Sequence, residues 1–242
     1  MPAREGSLEP GTRLYAIADA ECLGTDPREF AECVAAMVRG GVQLVQLRLK
    51  PSHPDLKGDD ALRFQMIECT LERLEKTGST SVVELWLDDR ADLAALFPGA
   101  FAGVHVGQSD LPPGAVRRVD QQDRDAFLVG RSCHDIDQVK AADADAAVDW
   151  IAIGPVYSTK SKANPEPHVG IEGVRGARAA TAKPLVAIGG IREGRFGSIL
   201  RAGADTAAVL SALVAGGRKP SEIETTARRL VEEVESAATG MS

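Results

Sequence analysis

Short apolar runs recur along the 242-residue chain at 14–19, 44–50, 83–89, 102–107, 127–133, 150–156, 185–190 and 207–213, and segments of helical periodicity fill the gaps. Leu185-Val-Ala-Ile188 is continuously apolar, as a strand buried on both faces should be. Between the first two runs, Phe30, Cys33, Val34, Met37 and Val38 recur at helical spacing over 27–40, and Gly40-Gly41 supplies a C-terminal stop. Segments 59–76 and 221–236 read the same way. Strand-like runs alternating with helices predict βαβ units and a parallel sheet, and eight of them predict an α/β fold with a single (βα)8 TIM barrel. One such barrel takes roughly 250 residues, so 12–242 is expected to be one catalytic domain behind a flexible tail at 1–11.

In this architecture the loops after strand C-termini build the active site. Two long polar loops, 51–60 and 159–170, fall there.

Charge and cysteine content narrow the classes. The 28 basic and 35 acidic residues give a net charge of −7, which argues against nucleic acid or anionic lipid held by bulk attraction. Any anion must be gripped locally. Cys22, Cys33, Cys69 and Cys133 form no C-x-x-C pair, so neither a zinc site nor a disulfide framework is suggested. The first residues lack the apolar core of a signal peptide and no segment reaches the ~18 apolar residues of a membrane span. The expectation is a cytoplasmic protein with small-molecule partners; a homo-oligomer is left open.

Gln46, Arg48 and Lys50 stand at alternate positions, so a strand directs all three to one face. Inside a barrel that face is the interior, where an amide and two cations need an anionic or polar partner. Two arrangements meet the need: an ion-pair network with carboxylates of neighbouring strands, or an anionic ligand. The third run ends in Asp88-Asp89-Arg90 and the fourth leads through His105 to Gln108-Ser-Asp110. Carboxylates converging from adjacent strand tips suit Mg2+ better than zinc, because hard cations prefer oxygen and magnesium retains water. Helix capping is the competing use of such aspartates, and Asp110 before Leu-Pro-Pro has the look of a cap. A lone strand histidine such as His105 is more often a hydrogen-bonded structural residue than a catalyst. Ser132, at the end of the fifth run, could meet a ligand or satisfy a turn.

After the sixth run, Thr159-Lys160-Ser161-Lys162 sets two hydroxyls and two ammonium groups in a loop suited to grip a phosphate and close over it. Gly189-Gly190 and Leu210-Ser211 end the seventh and eighth runs, where barrels commonly bind phosphate through backbone N–H groups. Glycine lets those groups approach the oxygens. A tight turn that merely needs glycine is the alternative.

Taken in order, the blocks 46–50, 88–94, 103–112, 154–162 and 186–191 resemble thiamine-phosphate synthase, and the likeness runs from about residue 14 to residue 213. The resemblance implies a Mg2+-dependent alkyl transferase on a (βα)8 barrel. It would condense hydroxymethylpyrimidine diphosphate with a thiazole phosphate, releasing pyrophosphate and forming thiamine phosphate. Carried over by position, the pyrimidine diphosphate contacts fall on Gln46, Arg48, Lys50, Asp88, Ser132 and Lys162, with Arg48, Lys50 and Lys162 as the catalytic cations. The metal carboxylates fall on Asp89 and Asp110. Thr159, Ser161, Gly190, Leu210 and Ser211 match the thiazole phosphate positions, and Lys160 lies between the two matching hydroxyls. Two residues depart from the family pattern: Leu49 replaces an acidic residue, and Asp88 replaces an asparagine. Strand alternation turns Leu49 away from the interior.

Competing readings are a thiazole tautomerase on the same barrel, for which His134 could serve as acid or base, and a phosphate-binding homologue without turnover. The tautomerase predicts loss of the metal aspartates and lid lysines, and Asp89, Asp110, Lys160 and Lys162 are all present. Another phosphate-using barrel would not explain the Gln46, Arg48 and Lys50 row beside the acidic pair.

Overall fold

The computed structural model describes residues 14–79, 83–119, 127–158 and 167–239. Among them each apolar run yields a parallel strand: β1 Leu14–Asp19, β2 Leu44–Arg48, β3 Glu84–Asp88, β4 Gly103–Val106, β5 Leu128–Cys133, β6 Trp150–Ile153, β7 Leu185–Ile188 and β8 Thr206–Val209. β8 pairs back onto β1, so the sheet closes in sequence order into the expected barrel. The helices are α1 Ala20–Leu23, α2 Pro27–Arg39, α3 Asp60–Lys76, α4 Ala91–Ala94, α5 Pro113–Val119, α6 Ile136–Ala144, α7 Gly170–Ala180, α8 Phe196–Arg201 and α9 Pro220–Thr239. The expected tail at 1–11 lies outside the described residues.

Most strands stop short of their apolar runs. The 44–50 run ends as strand at Arg48 and the 150–156 run at Ile153, while the end of the 207–213 run becomes part of the 3-10 turn Ser211–Val214. Leu49, Val156 and Leu213 are nonetheless buried, because loop residues at the barrel rim pack beneath the helices. Apolarity reports burial, whereas strand limits report pairing.

Local signals explain the helix ends. Asp26 accepts from the Arg28 and Glu29 N–H groups in front of Pro27, satisfying donors that the first turn of α2 leaves open. At the far end the two glycines do different work. Gly41 takes the positive φ of 97°, and a Cβ on Gly40 would stand 2.6 Å from Ala227 Cβ, so Gly40 permits α2 to approach α9.

Two apolar layers result. Ala16, Ala18, Val45, Leu47, Leu85, Leu87, Val104 and Val106 point outward into the layer shared with the helices. Tyr15, Leu44, Trp86, Trp150, Val186 and Ala208 fill the interior. Trp150 is the centre of that plug, edge-on to Tyr15 at 5.6 Å and to Trp86 at 5.4 Å, and stacked on His105 at 4.5 Å. Glycines make the space: a Cβ on Gly130 would lie 2.2 Å from the Trp150 ring, and one on Gly103 would lie 2.6 Å from the Trp86 ring. With the interior blocked below, polar side chains collect at the C-terminal mouth.

Candidate active site

Register places the β2 row. Ile17 pairs with Gln46 and Asp19 with Arg48, and Gln46 pairs with Trp86 across the other edge. Gln46 is buried, accepting a hydrogen bond from the Tyr15 hydroxyl at 2.9 Å and donating to Asp88 at 2.5 Å. Arg48 donates through Nη1 to Asp19 at 2.6 Å, and its Nε lies 3.7 Å from Asp88 Oδ2. Lys50, two residues past the strand end, pairs with Asp89 and lies 3.4 Å from Asp88. Leu49 between them is buried in the outer layer, as alternation predicts. The three polar side chains and the acidic tips thus come together, in the ion-pair arrangement that the sequence left as one of two options.

Burial dominates the electrostatics. It pushes the Asp88 carboxyl above the usual range against the pull of Lys50 and Arg48. It also raises Asp89, helped by the neighbouring Asp88 charge and a hydrogen bond with Asp110, to about 7. Burial alone would lower Lys50, but Asp88 and Asp89 outweigh it and keep the ammonium charged. Arg48 behaves alike between Asp19 and Asp88. A ligand that replaces these internal partners therefore meets cations that are already in place and partly dehydrated.

Asp89 adopts a left-handed backbone, φ 60°, with its N–H bonded to the His105 carbonyl at 2.8 Å. A non-glycine residue there costs on the order of 1–3 kcal/mol, and such strain gathers at functional sites. The bend turns the Asp89 carboxyl toward Asp110, whose Oδ2 accepts from the Gly107 N–H at 2.9 Å. Asp110 therefore closes the turn behind it.

Among the described residues no group of three or more His, Cys, Asp or Glu side chains is arranged to hold a metal ion. The Asp89 and Asp110 pair is still suited to magnesium, which usually takes one or two carboxylates and completes its shell with water and phosphate oxygens. Two carboxyls close enough to share a hydrogen bond, one with its proton affinity raised, are the donor set that a hard cation would relieve.

Ser132 hydrogen-bonds His105 Nε2 at 2.7 Å, and His105 stacks on Trp150. His105 thus supports the serine, matching the structural role expected of it. His134 joins its Nδ1 to the Gly154 carbonyl at 2.7 Å and sits at the tip of β5 beside β6.

The β7–β8 side is built differently. Gly189 and Gly190 both have positive φ, 101° and 63°, and a Cβ on Gly190 would stand 2.6 Å from the Ser158 carbonyl. The turn thus requires glycine for packing as well as for conformation. Arg195 donates to the Gly190 carbonyl at 2.7 Å and covers the Tyr157 ring at 4.0 Å, bracing this loop. Leu210 precedes and exposed Ser211 opens the 3-10 turn Ser211–Val214, whose leading N–H groups lack acceptors within the turn. Thr159, Lys160, Ser161 and Lys162 lie outside the described residues.

Sequence reasoning passed over two residues. Asp19 was read only as the end of a strand, and its partner lies across the β1–β2 register. Arg63, 3% exposed on α3, donates to the Leu49 carbonyl at 3.0 Å and to Asp60 at 2.8 Å, and Asp60 also accepts from Arg90 at 2.7 Å. This outer strap ties the ends of β2 and β3, and a charged residue in helical register with the apolar face of α3, three and four positions before Met66 and Ile67, was the available signal.

Comparisons with known proteins agree with the residue pattern. The family profile described as Thiamine monophosphate synthase matches residues 14–213. The thiamine-phosphate synthase of Koribacter versatilis is 41% identical over 209 residues, covering 86% of this chain and 91% of that one. That of Albidiferax ferrireducens is 38% identical, covering 92% and 93%. Among solved structures, a thiamine phosphate pyrophosphorylase from Pyrococcus furiosus superimposes with a TM-score of 0.72 at 24% identity, covering 94% of this chain and 99% of that one, which supports the fold.

Proposed function

The chain belongs to the thiamine-phosphate synthase family, and from that premise we propose how its mouth divides the labour of making thiamine phosphate. The β1–β5 side, together with Lys162 from the segment after β6, takes the pyrimidine diphosphate, and the β7–β8 turns with the rest of that segment take the thiazole phosphate. The observation that carries this division is a row of paired cations and carboxylates on β2–β4 facing glycine and serine turns on β7 and β8 within one barrel mouth.

Arg48 and Lys50 bind the diphosphate, exchanging their internal carboxylate partners for its oxygens. Gln46, held by Tyr15 and Asp88, and Ser132, held by His105, orient the pyrimidine. Lys162 is assigned the third cation by its place in the family pattern. Asp89 and Asp110 would hold Mg2+, which when bound neutralises the charge of the departing pyrophosphate. The pyrimidine C–O bond breaks with its electron pair leaving on pyrophosphate, and the thiazole nitrogen then donates its lone pair to the methylene carbon. Arg48 and Lys50 stabilise the growing negative charge, so electrostatic preorganisation rather than proton transfer is the main contribution. Gly190, Leu210 and Ser211 hold the thiazole phosphate through backbone and hydroxyl donors, with Thr159, Lys160 and Ser161 completing the grip.

Asp88 stands where the family has asparagine. Here its carboxylate accepts from Gln46 and draws both cations inward, so it organises the diphosphate side by charge. Among the described residues no helix is long and apolar enough to cross a membrane, and all four cysteines are free; a reducing cytoplasm suits both. The decisive experiment incubates the purified protein with both substrates, with and without Mg2+, and follows thiamine phosphate and pyrophosphate together. Metal-dependent formation of both is expected, and binding of thiazole phosphate without product would overturn the reading.

A further inference from the structure

Asp19 ends β1 directly beside Arg48 in the register, with its side chain 2% exposed. Its two oxygens have separate duties. Oδ1 accepts from the Glu21 N–H at 3.1 Å and caps α1, while Oδ2 accepts from Arg48 Nη1 at 2.6 Å. Capping a four-residue helix needs no charge, since asparagine or serine does it as well. A buried carboxylate is costly unless a cation faces it, so the charge at this position answers to Arg48.

Among the described residues, the only other carboxylate within ion-pair reach of that guanidinium is Asp88, 3.7 Å from Nε and already engaged by Gln46 and Lys50, while Glu21 acts on it only through longer-range charge and accepts instead from Ser52. Asp88 alone would draw the guanidinium toward β3. Asp19 pulls from the opposite side and holds one edge of the planar fork, leaving donors on its other edges for an anion.

We propose that Asp19 is a positioning residue: through its buried bond it holds Arg48 at the diphosphate side of the mouth and prevents its collapse onto Asp88. This rests on the synthase reading above. Asp19→Asn keeps an acceptor for the Glu21 N–H and removes the charge that fixes Arg48. Charged hydrogen bonds contribute about 1.5–3 kcal/mol, so kcat/KM for the pyrimidine diphosphate is expected to fall on the order of 10–100-fold. KM for the thiazole phosphate should stay close to wild type, while the thermal midpoint falls by several degrees as the same bond is lost from the fold. In an Arg48→Gln background the same change should add no further loss, since the residue through which it acts is gone. Inorganic pyrophosphate titrated by calorimetry gives a readout without turnover and should bind more weakly to Asp19→Asn. Equal losses for both substrates, additive losses in the double variant, or unchanged pyrophosphate binding would each overturn the proposal. A wild-type protein that binds pyrophosphate but makes no product would sink the synthase reading instead, while the calorimetric comparison would still decide the role of Asp19.

Discussion

Across the barrel mouth, the β1–β4 side presents Asp19, Arg48, Lys50, Asp88, Asp89 and Asp110, all linked by hydrogen bonds, ion pairs or short-range charge. The β7–β8 side presents glycine peptide groups and a serine hydroxyl, braced by Arg195. Both suit phosphate oxygens, by different means. Backbone donors are placed by the turn itself and change little when an anion arrives. Buried charges must have partners at all times, so the β1–β4 side holds its cations in a carboxylate network whose place an entering diphosphate would have to take. A leaving group whose charge grows during the reaction belongs where strong cations wait, and a phosphate that only anchors belongs where neutral donors suffice.

Neutralising Lys50 should sharpen this contrast most. Lys50→Met is expected to lower kcat by about 10²–10³-fold, as removal of a preorganised electrostatic donor does, with little change in KM for the thiazole phosphate in steady-state assays. Asp110→Ala should also lower turnover severely while circular dichroism shows an intact fold, and raised Mg2+ should restore part of the rate; near-normal activity would break the assignment of the acidic pair. On the opposite side, Ser211→Ala removes one hydrogen bond from a neutral hydroxyl to an anionic phosphate, about 1.5–3 kcal/mol. KM for the thiazole phosphate should therefore rise about 10–100-fold with kcat nearly unchanged. A larger drop in kcat would erase the distinction between the sides.

The smallest expected effect is on pH dependence. Asp89 has its proton affinity raised in the folded chain, from 3.8 to about 7, so the folded state holds a proton that the unfolded state has released. The stability from this group is fully present below 3.8 and is lost as pH rises toward about 7. Asp89→Asn, which cannot ionise, should show a flatter profile of thermal midpoint in metal-free buffer over that window. Parallel profiles would mean that the carboxyls are not coupled as described.

How much could be read in advance followed from the range of each interaction. The barrel was legible because each strand carries its own apolar run, and the row of Gln46, Arg48 and Lys50 because a strand's period of two is local. Asp89 and Asp110 were legible as oxygen donors at strand tips, although the left-handed turn that aims Asp89 at Asp110 was not. Asp19 was invisible as a functional residue, since its partner sits 29 positions away and only the β1–β2 register joins them. Gly103 and Gly130 gave no hint that they make room for Trp86 and Trp150, because close approach is a property of the folded interior.

The sequence by itself determined the order of strands and helices, the facing of alternate side chains and the chemical inventory of the mouth, all properties of neighbouring residues. Only the tertiary structure decided which carboxylate meets which cation. Closing the barrel buries those groups together, and in a poorly polarisable interior each charge must find its partner among residues that the chain brings from far away.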